Sequence, residues 1–320
     1  MIHEKRDCGK KESLFSAVFL FFDTTCIRIS IGDFNMAVRI ITDSACDLSQ
    51  EYASSRGITV IPLTVRFGEE EFLDGVTISP DAFYERLEKK DVVPKTSQIT
   101  PYDYSGYFEE TVRAGDSAVY IAMSAGVSGS WANACLSAAE YPGKIFVVDS
   151  RQFCISEGIL AEEAARLRDQ GKSAEEIASE LEQLKDRVHV LSIFDTLEYL
   201  KLGGRLSSAA AWVGGMLSIK PVITIEEGIV KVMGKVRSIK SGSATLLKTI
   251  DKLGGIDWTR PVRLAYTGIN PERLKSFIES TKSTYGEKFA EIAISRVGAV
   301  IGTYAGPGAY AVAFFHRAET

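Results

Sequence analysis

Two short segments set hydroxyls among small residues in a way that could hold an anion. Ser124-Ala125-Gly126-Val127-Ser128-Gly129-Ser130 lies between an apolar run, Ala118 to Ala122, and an alanine-rich stretch of helical character. Glycines let the backbone approach a ligand, the free amides and dipole of a starting helix favour negative charge, and Ser128 or Ser130 can add a hydroxyl. Plain helix capping accounts for the same pattern. Lys95-Thr96-Ser97-Gln98 is expected as a loop between two helices. Its hydroxyls point either at an anion or at local backbone groups.

Catalytic readings use the same residues. Gly126-Val127-Ser128-Gly129-Ser130 nearly spells a nucleophile elbow but lacks the last glycine. A serine nucleophile also needs a base. Downstream there are His189, inside the apolar run Val188-His189-Val190-Leu191 and expected to be simply packed, and His316, expected in an exposed tail. Asp43 and Asp47, in Thr42-Asp43-Ser44-Ala45-Cys46-Asp47, close a first strand where a wound sheet presents functional groups. They could hold a metal for phosphotransfer, or cap a helix and close a tight turn. A serine hydrolase at Ser128 and a metal-dependent phosphotransferase at Asp43 are therefore the enzymatic alternatives to a binding protein.

These segments need elements to position them. Val38 to Ile41 reads as a buried strand, Ile58 to Phe67 as one longer strand, and Gly68 to Phe72 as a turn into a short returning strand. Ser79-Pro80-Asp81 and Thr100-Pro101-Tyr102-Asp103 each start a helix by capping, a preset first residue and an acid against the dipole. Strands at Ala118–Ala122 and Lys144–Asp149 alternate with helices at about 130–140 and 155–186, where Ser173 and Glu176 form a capping box. This alternation implies a mostly parallel sheet covered on both faces. After Phe194 the texture changes to glycine-punctuated segments: Gly203-Gly204-Arg205, Gly214-Gly215, and strands 219–225 and 229–236 joined at Gly228. A helix at about 243–253, a strand 262–266, a helix after Pro271 and an apolar C-terminal stretch complete the second part. The expected fold is α/β with two domains: an N-terminal mostly parallel α/β/α sandwich over 37–190, and a C-terminal α+β domain with a mainly antiparallel sheet over 191–320.

The chain's 320 residues, 45% of them hydrophobic, suffice for one or two full cores. A net charge of −5 from 37 basic and 42 acidic side chains leaves no basic face for a phosphate backbone, so nucleic acid is not an expected partner. Five scattered cysteines without a C-x-x-C pair, and three histidines far apart, give no metal or redox site and fit a reducing cytoplasm. Lys5, Arg6, Lys10 and Lys11 before the apolar run Leu14–Phe22 imitate a secretory signal, but the run is short and closed by Asp23. Met36 stands directly before the first strand, so residues 1–35 are expected to be an upstream extension.

Six segments taken together resemble the signatures of the DegV family, in order: Asp43 to Leu48, Thr96-Ser97-Gln98, Ser124 to Ser130, Leu197 to Arg205, Ile219-Lys220-Pro221, and Gly302 to Gly308. The resemblance covers about Val38 to Phe315. It implies a cytoplasmic protein, not itself an enzyme, that holds a long-chain fatty acid between two domains, with the tail in an apolar tunnel and no cofactor besides that ligand. It places the carboxylate on Thr96 and Ser128, with Ser97 close by. Ser124, Gly129, Arg205 and Tyr304 become further ligand or partner contacts. Relatives of this kind serve as lipid-presenting subunits of a fatty acid kinase, in which a dihydroxyacetone-kinase-like ATP-binding partner phosphorylates the bound carboxylate. Transient membrane contact goes with such a role. The chain departs from the family pattern at Ile99, where proline is usual, at Ala125, where a second serine is frequent, and at Tyr304, where histidine is often found. A tyrosine hydroxyl still donates a hydrogen bond but brings no positive charge.

Overall fold

Buried strands alternating with capped helices fold as the sequence implies. The computed structural model describes residues 37–89, 92–206 and 219–318. The extension at 1–35 and the Gly214-Gly215 pair lie outside the described residues. Strands β1 (Val38–Asp43), β2 (Ile58–Ile61), β6 (Ser117–Ala122) and β7 (Ile145–Asp149) form a fully parallel sheet in the order β2-β1-β6-β7. Alternation along β1 and β6 divides their side chains between two cores. Ile40, Val119 and Ile121 pack with helices α1 (Gln50–Ser55), α5 (Ile155–Asp169) and α6 (Ala174–Leu184). On the opposite face, Ile41, Ala118 and Tyr120 pack under α3 (Pro101–Arg113) and α4 (Ser130–Ala138). Both faces are thus covered, as an all-parallel sheet requires.

The expected long strand at 58–67 is in fact two. Pro62, which offers no amide to a ladder, ends β2, and β3 (Thr64–Phe67) joins a different sheet, pairing antiparallel with β4 (Glu70–Leu73) on one side and β5 (Lys95–Ser97) on the other. Thr96 consequently sits on a strand, correcting the expected loop. Helix α2 (Pro80–Lys89) starts where Ser79 Oγ accepts from the Ala82 amide. The capping boxes at Thr100/Asp103 and Ser173/Glu176 are both formed.

The second half carries six strands in the order β10-β9-β8-β13-β11-β12: β8 (Val188–Ile193), β9 (Lys220–Glu226), β10 (Ile229–Val236), β11 (Arg263–Tyr266), β12 (Ile294–Arg296) and β13 (Tyr310–Phe315). All pairs are antiparallel except β11 with β12, so the sheet is mainly antiparallel. The β9–β10 hairpin turns at Glu227 and Gly228, both with positive φ, as a tight turn compatible with strand twist demands. Strand β8 runs across the position expected to divide the domains, residues 190 and 191. Helix α8 (Ile239–Lys252) begins earlier than the expected 243, because Ser238 caps it. Helices α7 (Glu198–Leu202), α9 (Glu272–Tyr285) and α10 (Ala299–Ala305) complete the half. His316, expected in an exposed tail, extends β13: its amide donates to Arg187 O at 2.9 Å and its ring stacks on His189 at 5.1 Å.

Candidate functional site

A cavity opens where the ends of β5, β6, α7 and α10 meet. Its walls include Thr96, Ser128, Arg205 and Tyr304 as polar groups, and Leu63, Met123, Phe153, Phe194, Leu200 and Ile301 among the apolar ones. The empty volume is about 640 Å³, part of it open to solvent. The fold thus brings together four of the residues singled out from sequence, drawn from segments more than 200 positions apart.

Each is placed by local structure. Alternation along β5 turns Thr96 inward and leaves Ser97 exposed, so Ser97, expected beside the carboxylate, is not a wall residue. Thr96 Oγ1 and the Tyr304 hydroxyl lie 2.5 Å apart in a hydrogen bond. Tyr304, on α10, therefore sets its hydroxyl directly beside Thr96. Ser128 Oγ donates to Ser130 Oγ at 3.0 Å and accepts from the Ser130 amide at 3.2 Å. Gly129 holds the N-cap position of α4 without a side-chain bond of its own, and the Ser128 hydroxyl takes the first helix amide from one residue further back. A Cβ at Gly129 would stand 2.1 Å from Gln98 Oε1, so a larger residue there would push the exposed Gln98 side chain aside.

Arg205 reaches over the mouth. Its Nε donates to Val127 O at 3.3 Å, its Nη1 to Gly203 O at 2.9 Å, and its guanidinium lies 5.1 Å from the Tyr304 ring centre. Ser124 does not line the cavity. It is buried, donating to Gly228 O at 2.8 Å, and so ties the loop after β6 to the β9–β10 turn. Its hydroxyl also accepts from the Gly126 amide at 3.1 Å.

A second chamber adjoins the first. It shares Phe153, Phe194, Ile223, Ile301 and Ala305 with it and continues between Cys154, Val190, Ala265, Val297 and Ala311, with an empty volume of about 470 Å³, again partly open. Together the two form a space with hydroxyls and a guanidinium at one end and almost purely apolar walls beyond. Sequence reasoning missed Phe153, Cys154, Phe194 and Ile301. Phe153 and Cys154 had a usable signal: they follow the carboxyl end of β7, a position where wound sheets present functional residues.

The groups on which the enzymatic alternatives depend are committed elsewhere. The Asp43 carboxylate accepts from Ala45 N at 3.0 Å, Tyr120 OH at 2.9 Å and Met123 N at 3.2 Å. Burial raises its pKa to about 6 despite these bonds. Asp47 accepts from Gly298 N at 2.7 Å, and Asp74 from Ala299 N at 2.8 Å and Val300 N at 3.3 Å, so both acids serve the start of α10. Among the described residues no group of three or more His, Cys, Asp or Glu could hold a metal ion. The ring nitrogens of His189 and His316 face each other at 2.8 Å, and the Ser128 hydroxyl is bonded to Ser130.

Burial pushes the Asp47 carboxyl up to about 8. The unfolded chain releases this proton near pH 4, whereas the folded chain keeps it, so Asp47 withdraws stability as pH rises from about 4 to 8. Asp47→Asn retains an oxygen for the Gly298 amide and removes this loss. Relative to wild type, the variant should gain on the order of 3–4 kcal/mol between pH 5 and pH 8. His189, held down to about 4 by burial and by His316, acts oppositely, losing stability as pH falls below 6.5. Urea midpoints should therefore be compared between the two proteins at each pH. A gap that does not change with pH would show that Asp47 ionises normally in the fold.

A family profile described as "Uncharacterised protein, DegV family" matches residues 37–317. A DegV domain-containing protein of Caldanaerobacter subterraneus subsp. tengcongensis is 34% identical over 279 residues, 87% of this chain and 98% of the relative. Protein DegV of Bacillus subtilis is 30% identical over 282 residues, with 87% and 98% covered. Among solved structures, a fatty acid binding DegV family protein of Thermus thermophilus superposes with a TM-score of 0.80 at 29% identity, covering 88% of this chain and 100% of that one. DegV of Bacillus subtilis, a fatty acid binding protein, gives 0.75 at 30% identity, with 88% and 100% covered. A stearic acid-binding protein of Eubacterium ventriosum gives 0.74 at 28% identity, with 88% and 98% covered. With the fold matched over 88% of its length and the profile spanning nearly all of the described residues, the chain belongs to the DegV family.

Proposed function

We propose that this protein binds a long-chain fatty acid, its carboxylate on the hydroxyls of Thr96 and Ser128 within reach of Tyr304 and Arg205, and its tail along the adjoining apolar chamber. The observation that carries the reading is the joining of a polar mouth to an apolar space in one cavity. A carboxylate leaving water needs several hydrogen bonds to remain ionised, and the tail contributes about 0.8 kcal/mol per buried methylene. The family's fatty acid binding members support a fatty acid as the ligand.

The role we assign is that of a carrier, with the bound acid as its only small-molecule companion. A dihydroxyacetone-kinase-like ATP-binding subunit would phosphorylate the presented carboxylate: a carboxylate oxygen attacks the γ-phosphorus of ATP and ADP leaves. No described helix is long and apolar enough to cross a membrane. Leu202, at the exposed end of the helix that carries Leu200 into the cavity wall, suits brief membrane contact during exchange. A cytoplasmic location fits this role.

Protein purified from a heterologous host should carry a long-chain fatty acid, detected by mass spectrometry after denaturing extraction. No lipid above background, together with no uptake of added acid, would overturn the reading.

A further inference from the structure

The second chamber does not run along the strands of the larger sheet; it crosses them. Register fixes the row of residues beneath it. Ile223 on β9 stands beside Ser192 on β8, Ser192 beside Ala311 on β13, and Ala311 beside Ala265 on β11. All four line the chamber. On a pleated face, every strand contributes one side chain to such a row, and small ones leave a channel perpendicular to the strands. Larger residues bound it: Val190 and Ile225 to one side, Phe194 and Thr267 to the other, with Phe153, Cys154 and Ile301 among those across from it. From β9 to β11 the row spans about 14 Å, three strand spacings.

We infer that Ala311 and Ala265 set the longest acyl chain this protein accepts, Ala311 midway along the tail path and Ala265 near its end. The inference rests on the fatty-acid reading given above. The polar mouth and the shared residues Phe153, Phe194 and Ile301 fix where the tail enters, so its methylenes meet Ile223 and Ser192 first, Ala311 next and Ala265 last. Both alanines are almost fully buried, and each presents only a methyl group to the chamber. A larger side chain at either position takes up the volume that a tail would fill, and the position decides how much tail is excluded. Ala313 is on the same face of β13 but one row further along, beside Val190, and does not line the chamber.

The test is a length profile, with binding of decanoic, myristic and stearic acids measured for wild type, Ala265→Leu, Ala311→Leu and Ala313→Val. Ala265→Leu should bind decanoic and myristic acids like wild type and lose stearic acid by about tenfold or more. Ala311→Leu should lose myristic and stearic acids by a similar factor and retain decanoic acid. Ala313→Val should change all three alike or not at all. If Ala311→Leu does not fold, Ala311→Val gives the same ordering with smaller factors. Equal losses for all three acids in the Ala265 and Ala311 variants, or no losses, would overturn the inference and leave the fatty-acid reading intact. A wild type that takes up none of the acids would remove that reading, and the inference with it.

Discussion

Replacing Thr96 and Ser128 together by alanine is expected to weaken binding of a long-chain acid by about a hundredfold or more, while binding of its methyl ester falls far less. Each hydroxyl that serves a buried carboxylate contributes a charge-assisted bond worth on the order of 1.5–3 kcal/mol. The two positions share one ligand, so their effects need not add, and the single variants belong in the comparison. Thr96→Ala also strips Tyr304 of its 2.5 Å partner, which the Tyr304→Phe variant isolates from the other side. Both changes remove small polar groups from the cavity wall. Ser128→Ala also leaves the Ser130 amide, the first of α4, without its side-chain acceptor, so this variant should lose about 1 kcal/mol of stability as well. Isothermal titration with acid and ester decides the matter. Equal losses for the two ligands, or none for either, would mean that the carboxylate lies elsewhere.

A second large effect is expected far from any hydroxyl. Gly306, directly after α10, has φ of +66° and ψ of 179°, a region that only glycine enters freely, and a Cβ there would stand 2.2 Å from the Tyr199 ring. Gly306→Ala should therefore lose about 3 kcal/mol, combining backbone strain with displacement of Tyr199. Gly143→Ala is the control. Its φ is +73°, but nothing lies within 4 Å of an added Cβ, so strain alone should cost about 1 kcal/mol. Urea midpoints at constant slope give both values. If the two substitutions cost the same, the close approach of Tyr199 to α10 is not as drawn. Tyr199 neighbours Leu200, so a displaced ring should also disturb the wall beside Arg205.

Much of this fold was legible because local chemistry and burial agreed. The parallel sheet was readable from apolar runs that end in helix caps, and the second sheet from the change to glycine-punctuated strands. The errors fall where a tertiary partner decided the outcome. Lys95 to Ser97 looks like a loop because its three residues have little strand character, yet β3 offers an unpaired edge and the segment completes it. Ile58 to Phe67 looks continuous because apolar residues flank Pro62 on both sides, although the missing amide alone could have signalled the break. His316 lies near the chain end but is drawn in by Arg187 and His189, neither of which any local pattern connects to it. Of the site, Thr96, Ser128, Arg205 and Tyr304 were recognised from the family pattern and do meet around one cavity. Ser97 was not separable from Thr96 until the strand phase was known. The apolar chamber could not be read at all, because its shape depends on which strands neighbour one another.

Helix α5 is buried nearly all round, and its own glutamates tie it in two directions. Glu157 accepts from Thr42 on β1 at 2.8 Å, while Glu162 pairs with Arg263 on β11. The residues just before it, Phe153 and Cys154, belong to the chamber wall, and Cys154 enters the helix with a φ of +60°, unusual for a side chain with a Cβ. One rod thus serves as the floor of the first sheet, a support of the second and the frame of the apolar chamber. A guest seated against Phe153 and Cys154 would brace a beam on which both halves rest. Loading and rigidity become linked quantities: whatever free energy the guest gains by seating against the filled frame, the two sheets share as resistance to opening.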